Sequence, residues 1–257
     1  MLPLDIGIPP AIPSQPRRYF IADAHLDGSD NSRAEKFREF LKRLTVESAQ
    51  RTIELYVLGD LFAFWYEYRA PLFDIYRRDI EALESAWKAN VRIYLFSGNH
   101  DFAYGRYARE HFGATMLGDG EQILLSDYRP AWLEHGDLLC TADRSYLRYR
   151  AIIRSWPVRL LFWLMPWALA RRIIDYIQRK SAADKQRKLG HVFDIDLAAA
   201  CVRLKEKNCR LLICGHTHRP ITEDLGAGLR LVVLPAWREQ AGGYVDDGGS
   251  LQSFSLE

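Results

Sequence analysis

Five short patterns in this chain bring together residues that could hold metal ions. They are Asp23-Ala24-His25, Gly59-Asp60, Gly98-Asn99-His100-Asp101, His135-Gly136-Asp137 and Gly215-His216-Thr217-His218. All supply carboxylate or amide oxygen and imidazole nitrogen, without a thiolate, a donor set that suits divalent transition metals. Asp23 and His25 share a face if the chain there is extended, as do His216 and His218. Seven candidates (Asp23, His25, Asp60, Asn99, His135, His216 and His218) exceed what one tetrahedral centre takes. They match two centres that share a carboxylate. Two cations about 3.5–4 Å apart can hold a bridging hydroxide and clamp phosphoryl oxygens during in-line displacement. Taken singly, each residue reads more readily as turn or surface decoration than as a ligand; Gly-Asn-His-Asp and Gly-His-Thr-His are the more specific patterns, and it is the ordered set of five that points to chemistry.

Such side chains need strands to deliver them to one edge. "RRYFIADAHL", "IELYVLGD" and "VRIYLFSGNHD" each run apolar and then turn polar, as buried strands do where they emerge. Phe37, Phe40, Leu41 and Leu44 repeat at helical spacing within 32–49, and 71–89 reads as a second helix. "EQILLSDY" and "RPAWLEHGD" follow as shorter strands, then a helical region from Ser145 to about Lys207, broken near Pro157 and Pro166. "CRLLICGHTHRP" and "GLRLVVLPAW" return to strand, and the end forms an edge hairpin turning at Asp247-Gly248-Gly249. This order predicts an α/β sandwich of two mixed sheets flanked by helices. Residues 1–17, rich in proline, read as a flexible lead-in, 18–257 as one domain, and 145–207 as a helical cap inserted in it.

Composition narrows the classes. With 35 basic and 33 acidic residues the net charge is +2, so nothing calls for a nucleic-acid partner. Four cysteines without a Cys-x-x-Cys pair fit a reducing compartment. The apolar run Leu160–Ala170 is only 11 residues, flanked by Arg159, Arg171 and Arg172, whereas a spanning helix needs roughly 20.

The five patterns, in order over about residues 18–235, resemble the calcineurin-like metallophosphoesterases. That resemblance implies that Asp23, His25, Asp60 and His218 hold one metal, that Asp60, Asn99, His135 and His216 hold the other, and that Asp60 bridges. His100 would contact the scissile phosphate or protonate the leaving oxygen, with Asp101 orienting its imidazole; the bland alternative is that His100 merely packs beside the metals.

A longer signature narrows the resemblance. "GDLFAFW", "HGDLLCTADRSY", the basic and apolar insertion, "GHTHRP" and "LPAWREQAGGYV" are similar to the UDP-2,3-diacylglucosamine pyrophosphatase (hydrolase) family of lipid A biosynthesis. The resemblance implies hydrolysis of a UDP-linked diacylated glucosamine to UMP and 2,3-diacylglucosamine 1-phosphate. It also implies two divalent ions, usually Mn2+, and a cytoplasmic enzyme touching the inner membrane surface peripherally. A phosphomonoesterase or phosphodiesterase acting on nucleotides or another lipid phosphate is the other reading, and a metal-free scaffold a third. The chain departs from the family at His100, where an arginine is usual, and at Ala63 and Ala142, where acidic residues are. For the substrate, Asp143, Arg144 and Tyr146 offer polar contacts. Trp163 and Leu164 offer an acyl-chain wall, and Arg171 and Arg172 offer charge near headgroup phosphates.

Overall fold

Strand β1 (Arg17–Ile21) shows how the sequence builds the sandwich. Phe20, and Ala22 just after it, point into a core shared by two sheets, while Tyr19 and Ile21 point to a second core under helices. In the computed structural model, which describes residues 15–67, 70–173, 176, 194–237 and 241–256, two sheets stack on that shared core. The first has six strands in the order β11-β10-β1-β2-β3-β4, and the second five in the order β5-β6-β7-β9-β8. Phe20, Tyr56, Leu58 and Phe96 of the first sheet meet Leu133, Leu211, Ile213 and Val232 of the second.

In the first sheet, β2 (Ile53–Val57), β3 (Arg92–Leu95) and β4 (Thr115–Met116) continue parallel from β1, while β10 (Gly242–Asp246) and β11 (Leu251–Ser255) form the antiparallel edge hairpin expected from the sequence. In the second, β6 (Pro130–Leu133), β7 (Leu211–Cys214) and β9 (Leu229–Val233) are parallel; β5 (Glu121–Leu124) and β8 (Ile221–Gly226) flank them antiparallel. The architecture is therefore the predicted pair of mixed sheets. Its parallel strands align their carboxyl ends on one side, the edge where open α/β sheets place ligands.

Helix α1 (Ser32–Glu47) starts at Asn31, whose side chain accepts from the Ala34 amide at 3.0 Å. It buries Phe37, Phe40, Leu41 and Leu44, the predicted face, over the first sheet. The helix expected at 71–89 is two, α2 (Ala70–Ile75) and α3 (Arg77–Lys88), parted at Tyr76. Three elements escape a reading by apolar pattern: α4 (Arg106–Phe112), β4 and β8. In α4 the buried side chains are only Ala108 and Phe112, and β8 is exposed along nearly its whole length.

The helical region resolves into α5 (Arg144–Ile153), α6 (Trp156–Leu164) and a further helical stretch at 167–173. Pro157 lies in the first turn of α6, where its missing N–H costs nothing, and Pro166 separates α6 from the next stretch. The insertion is narrower than expected. Helix α7 (Leu197–Glu206) packs Ala200 and Leu204 against Leu212 and Leu231 on the outer face of the second sheet, so it belongs to the sandwich. Most of the basic second half of the insertion, and residues 1–14 of the expected lead-in, lie outside the described residues. Among the described residues no helix is long and apolar enough to cross a membrane.

Candidate metal centre

The loops leaving β1, β2 and β3 carry Asp23 and His25, Asp60, and Asn99; those leaving β6 and β7 carry His135, and His216 with His218. Backbone hydrogen bonds stitch the loops together: Asp23 N–H to Gly59 O at 3.2 Å, His25 N–H to Asp60 O at 2.9 Å, and Gly215 N–H to His135 O at 2.9 Å. Each loop must turn sharply as it leaves the sheet. Asp23, His25, Asp60, His216 and His218 all take left-handed conformations, with φ between 45° and 75°. For residues with a Cβ this backbone costs about 1–3 kcal/mol each and persists only where the surroundings enforce it. Gly98 answers a different demand: a Cβ there would lie 2.1 Å from Asp60 Oδ1.

All seven candidate ligands converge, in two groups. In one, His25 Nε2 lies 3.1 Å from His218 Nε2 and 3.9 Å from Asp23 Oδ1, which is 3.4 Å from His218 Nε2. In the other, Asn99 Oδ1 lies 3.1 Å from His135 Nε2 and 3.0 Å from His216 Nδ1, and the two imidazole nitrogens are 3.2 Å apart. Asp60 Oδ2 sits between the groups, 3.8 Å from His25 Nε2 and 3.7 Å from His135 Nε2. Donor atoms packed around a cation at about 2.1 Å stand about 3 Å from one another, so these spacings fit two sites with Asp60 common to both.

The polar accounting agrees. Asp23 is fully buried; its Oδ2 accepts from the His216 amide at 2.8 Å, whereas its Oδ1 is buried and receives no hydrogen bond. A carboxylate oxygen in that position is costly unless a cation neutralises it. His135 Nδ1 lies 2.8 Å from the Leu58 carbonyl, which keeps a proton on Nδ1 and turns Nε2 toward Asp60 and Asn99.

Protonation follows from burial and mutual charge. Burial pushes His25 down to about 3 and His216 to about 4, in both cases against the pull of nearby carboxylates, so both imidazoles keep a lone pair free. His135 goes the other way: burial lowers it, but Asp60, Asp23 and Asp137 outweigh burial and hold it up at about 9. Asp60 and Asp23 stay below the usual carboxylate range despite burial, because imidazoles surround them. Ionised carboxylates beside the neutral imidazoles of His25 and His216 suit a cation, and an arriving ion would displace the second proton of His135.

His100 is partly open to solvent, with 23% of its side chain exposed. Its Nδ1 lies 3.0 Å from the Ala63 carbonyl and its Nε2 4.0 Å from Asp60 Oδ2. Asp101 does not orient it. The Asp101 carboxylate instead accepts from the backbone N–H groups of Asp60 at 3.0 Å, Gly98 at 3.0 Å and Phe62 at 3.2 Å, and from the Tyr104 hydroxyl. It ties the Asp60 loop to the Asn99 loop, and the Ala63 carbonyl orients His100.

The polar residues expected at the substrate divide. Asp143 is buried and caps α5, accepting from the Tyr146 amide at 3.0 Å and the Ser145 hydroxyl at 2.7 Å, so these bonds are internal to the helix start. The Tyr146 ring lies 5.9 Å from that of His216, and its hydroxyl donates to Asp137. Arg144, Arg171 and Arg172 are exposed, as are Trp163 (58%) and Leu164 (63%). The cap beside them docks through Phe162, which packs with Tyr66 and Ala103 on the loops that follow Asp60 and Asp101. Two residues that order the site went unassigned by type. Asp137 is announced by the His-Gly-Asp pattern. Glu67 accepts from the Gly105, Tyr107 and Ala108 amides and so anchors the start of α4, and nothing in its local sequence signals this.

Comparison with known proteins gives three results. The family model described as calcineurin-like phosphoesterase matches residues 16–220. A UDP-2,3-diacylglucosamine hydrolase of Aeromonas hydrophila is 33% identical over 231 residues, covering 86% of this chain and 90% of its own, and the one from Proteus mirabilis is 35% identical over 225 residues, covering 86% and 91%. Among solved structures, a Zn2+-complexed Vps29 from Entamoeba histolytica aligns over 93% of this chain and 98% of its own, at 14% identity and a TM-score of 0.44.

Proposed function

Because the chain belongs to the calcineurin-like phosphoesterases and, within them, to the UDP-2,3-diacylglucosamine hydrolases, we propose that this metal-dependent hydrolase cleaves the pyrophosphate of UDP-2,3-diacylglucosamine. Water adds across the P–O–P bond, giving UMP and 2,3-diacylglucosamine 1-phosphate. The observation that carries the reading is Asp60 Oδ2, set between two donor groups of the kind a dinuclear hydrolase needs.

Asp23, His25, Asp60 and His218 would hold one cation, and Asp60, Asn99, His135 and His216 the other, with Mn2+ the ion we favour. When bound, such a pair supplies an activated water and positive charge for the phosphoryl oxygens. The chain does the rest. The His100 amide holds Asp60 Oδ1 at 2.8 Å, leaving Oδ2 for the shared position. His100, steadied through Nδ1 and partly open to solvent, carries Nε2 beside Asp60, where its N–H would donate to a phosphoryl or leaving oxygen.

For the lipid part of the substrate, exposed Trp156, Leu160, Leu161, Trp163 and Leu164 on α6 stand close in sequence to Arg159, Arg171 and Arg172. Apolar surface beside guanidinium groups suits acyl chains below an anionic headgroup, and a peripheral seat on the cytoplasmic face of the inner membrane. Purified protein loaded with Mn2+ should release UMP from UDP-2,3-diacylglucosamine much faster than it turns over bis-p-nitrophenyl phosphate. Rapid turnover of the soluble diester with no UMP would reject this substrate and favour a general phosphodiesterase.

A further inference from the structure

Tyr146, Arg150 and Arg154 recur every four residues and so form one stripe along α5 and its C-terminal cap. The stripe grips the body of the protein at three points. The Tyr146 hydroxyl and Arg150 Nε, the latter at 2.7 Å, both donate to Asp137 Oδ2. Arg150 Nη2 and Arg154 Nη1 share Asp119 Oδ1. Arg154 Nη2 donates to the Gly98 carbonyl at 2.7 Å, and its guanidinium lies 5.4 Å from the centre of the Phe102 ring.

These partners border the second donor group. Asp137 lies two residues after His135, and Gly98 immediately precedes Asn99. Asp119 follows Gly118, whose carbonyl accepts from the Ser97 amide at 3.1 Å. The Gly98 carbonyl and the Asn99 N–H belong to one rigid peptide plane, so fixing the oxygen fixes the rotation with which Asn99 begins. The amide of Gly98 is already held by Asp101 at 3.0 Å. Arg154 supplies the hold on the other side, through a fork that a lysine ammonium does not reproduce.

We propose that Arg154 is a positioning residue for the second cation: from the cap, through the Gly98 carbonyl, it sets Asn99 Oδ1 against His135 Nε2 and His216 Nδ1. The inference rests on the two-metal reading above. It makes the seating of the cap part of metal binding, so that the cap serves more than the lipid chains. The rival reading makes Arg154 a staple whose loss lowers stability alone.

Calorimetric titration with Mn2+ separates the two, run on the full chain with Arg154→Ala and Arg154→Lys after melting curves establish that both fold. Wild type should bind two ions. In Arg154→Ala one of them should bind about 10- to 100-fold more weakly, the usual effect of removing a residue that orients a ligand. Turnover of bis-p-nitrophenyl phosphate should fall in parallel, Arg154→Lys should recover only part of both, and millimolar guanidinium should partly rescue Arg154→Ala. Two unaltered Mn2+ affinities with unaltered diester turnover, and a lowered melting midpoint alone, would overturn the proposal. A wild-type chain that binds no pair of ions would overturn the two-metal reading itself, and this inference with it.

Discussion

Asp101→Ala is the substitution that best tests how the centre is held. The carboxylate accepts three backbone N–H groups, from Asp60, Gly98 and Phe62, as well as the Tyr104 hydroxyl. Its removal strands three buried donors, at about 1–3 kcal/mol each. Part of that loss is offset, because burial and the nearby Asp60 push the carboxyl up to about 6, so its ionised form is itself held at a cost. A net destabilisation of about 3–5 kcal/mol remains, which lowers the melting midpoint by about 10 °C in a chain of this size. The measurement is urea and thermal unfolding of EDTA-treated protein, so that bound cations do not mask the change. Asp101→Asn should lose less, since its amide oxygen can keep the Asp60 and Gly98 bonds. His100→Ala should leave stability within about 1 kcal/mol of wild type while lowering turnover. If Asp101→Ala were as stable as wild type and its loss of activity matched that of His100→Ala without adding to it, Asp101 would be orienting His100 after all, and the loop-tying role would be wrong.

Asp60→Ala should lower turnover of any phosphoester by about three orders of magnitude and halve the Mn2+ stoichiometry or worse; a metal-free scaffold would show neither change. Trp163→Asp and Leu164→Asp should raise KM for the lipid substrate by about 10- to 100-fold, the value of one buried apolar side chain, while sparing the soluble diester. Equal losses on both substrates would return α6 to an ordinary structural helix. Phe162→Ala should cost about 3–5 kcal/mol of cap docking, read as faster hydrogen exchange at 156–173 with the sheets still protected. Uniformly faster exchange through the sheets would mean that the cap and sandwich fold as one unit.

The sequence exposed the parts of this protein that follow from periodicity and punctuation. Apolar runs ending in Asp, Asn or His mark the strands whose carboxyl ends converge, and the number and type of the donors imply a pair of cations. What stayed hidden depends on long-range placement. Glu67 reaches amides 38 to 41 residues away, and Arg154 reaches Gly98 across 56, with no local pattern to announce either. Asp101 looked like a partner for the neighbouring His100, but the turn at Gly98 aims its carboxylate at backbone amides instead. Strand β8 escaped because an exposed edge strand needs little apolar content, and the first sight of it comes from its pairing with β9.

The left-handed conformations at Asp23, His25, Asp60, His216 and His218 also limit how this centre can change. Asn, Asp and His are the side chains that tolerate that backbone best after glycine, and they are also oxygen and nitrogen donors for divalent ions. The chain geometry has thus selected its ligand alphabet in advance. Exchanging one of these positions for cysteine, to recruit a softer ion, or for a β-branched residue meets a backbone penalty before any coordination bond forms. Asn99 and His135 are not among the left-handed residues, so redesign of metal preference has most freedom at those two positions.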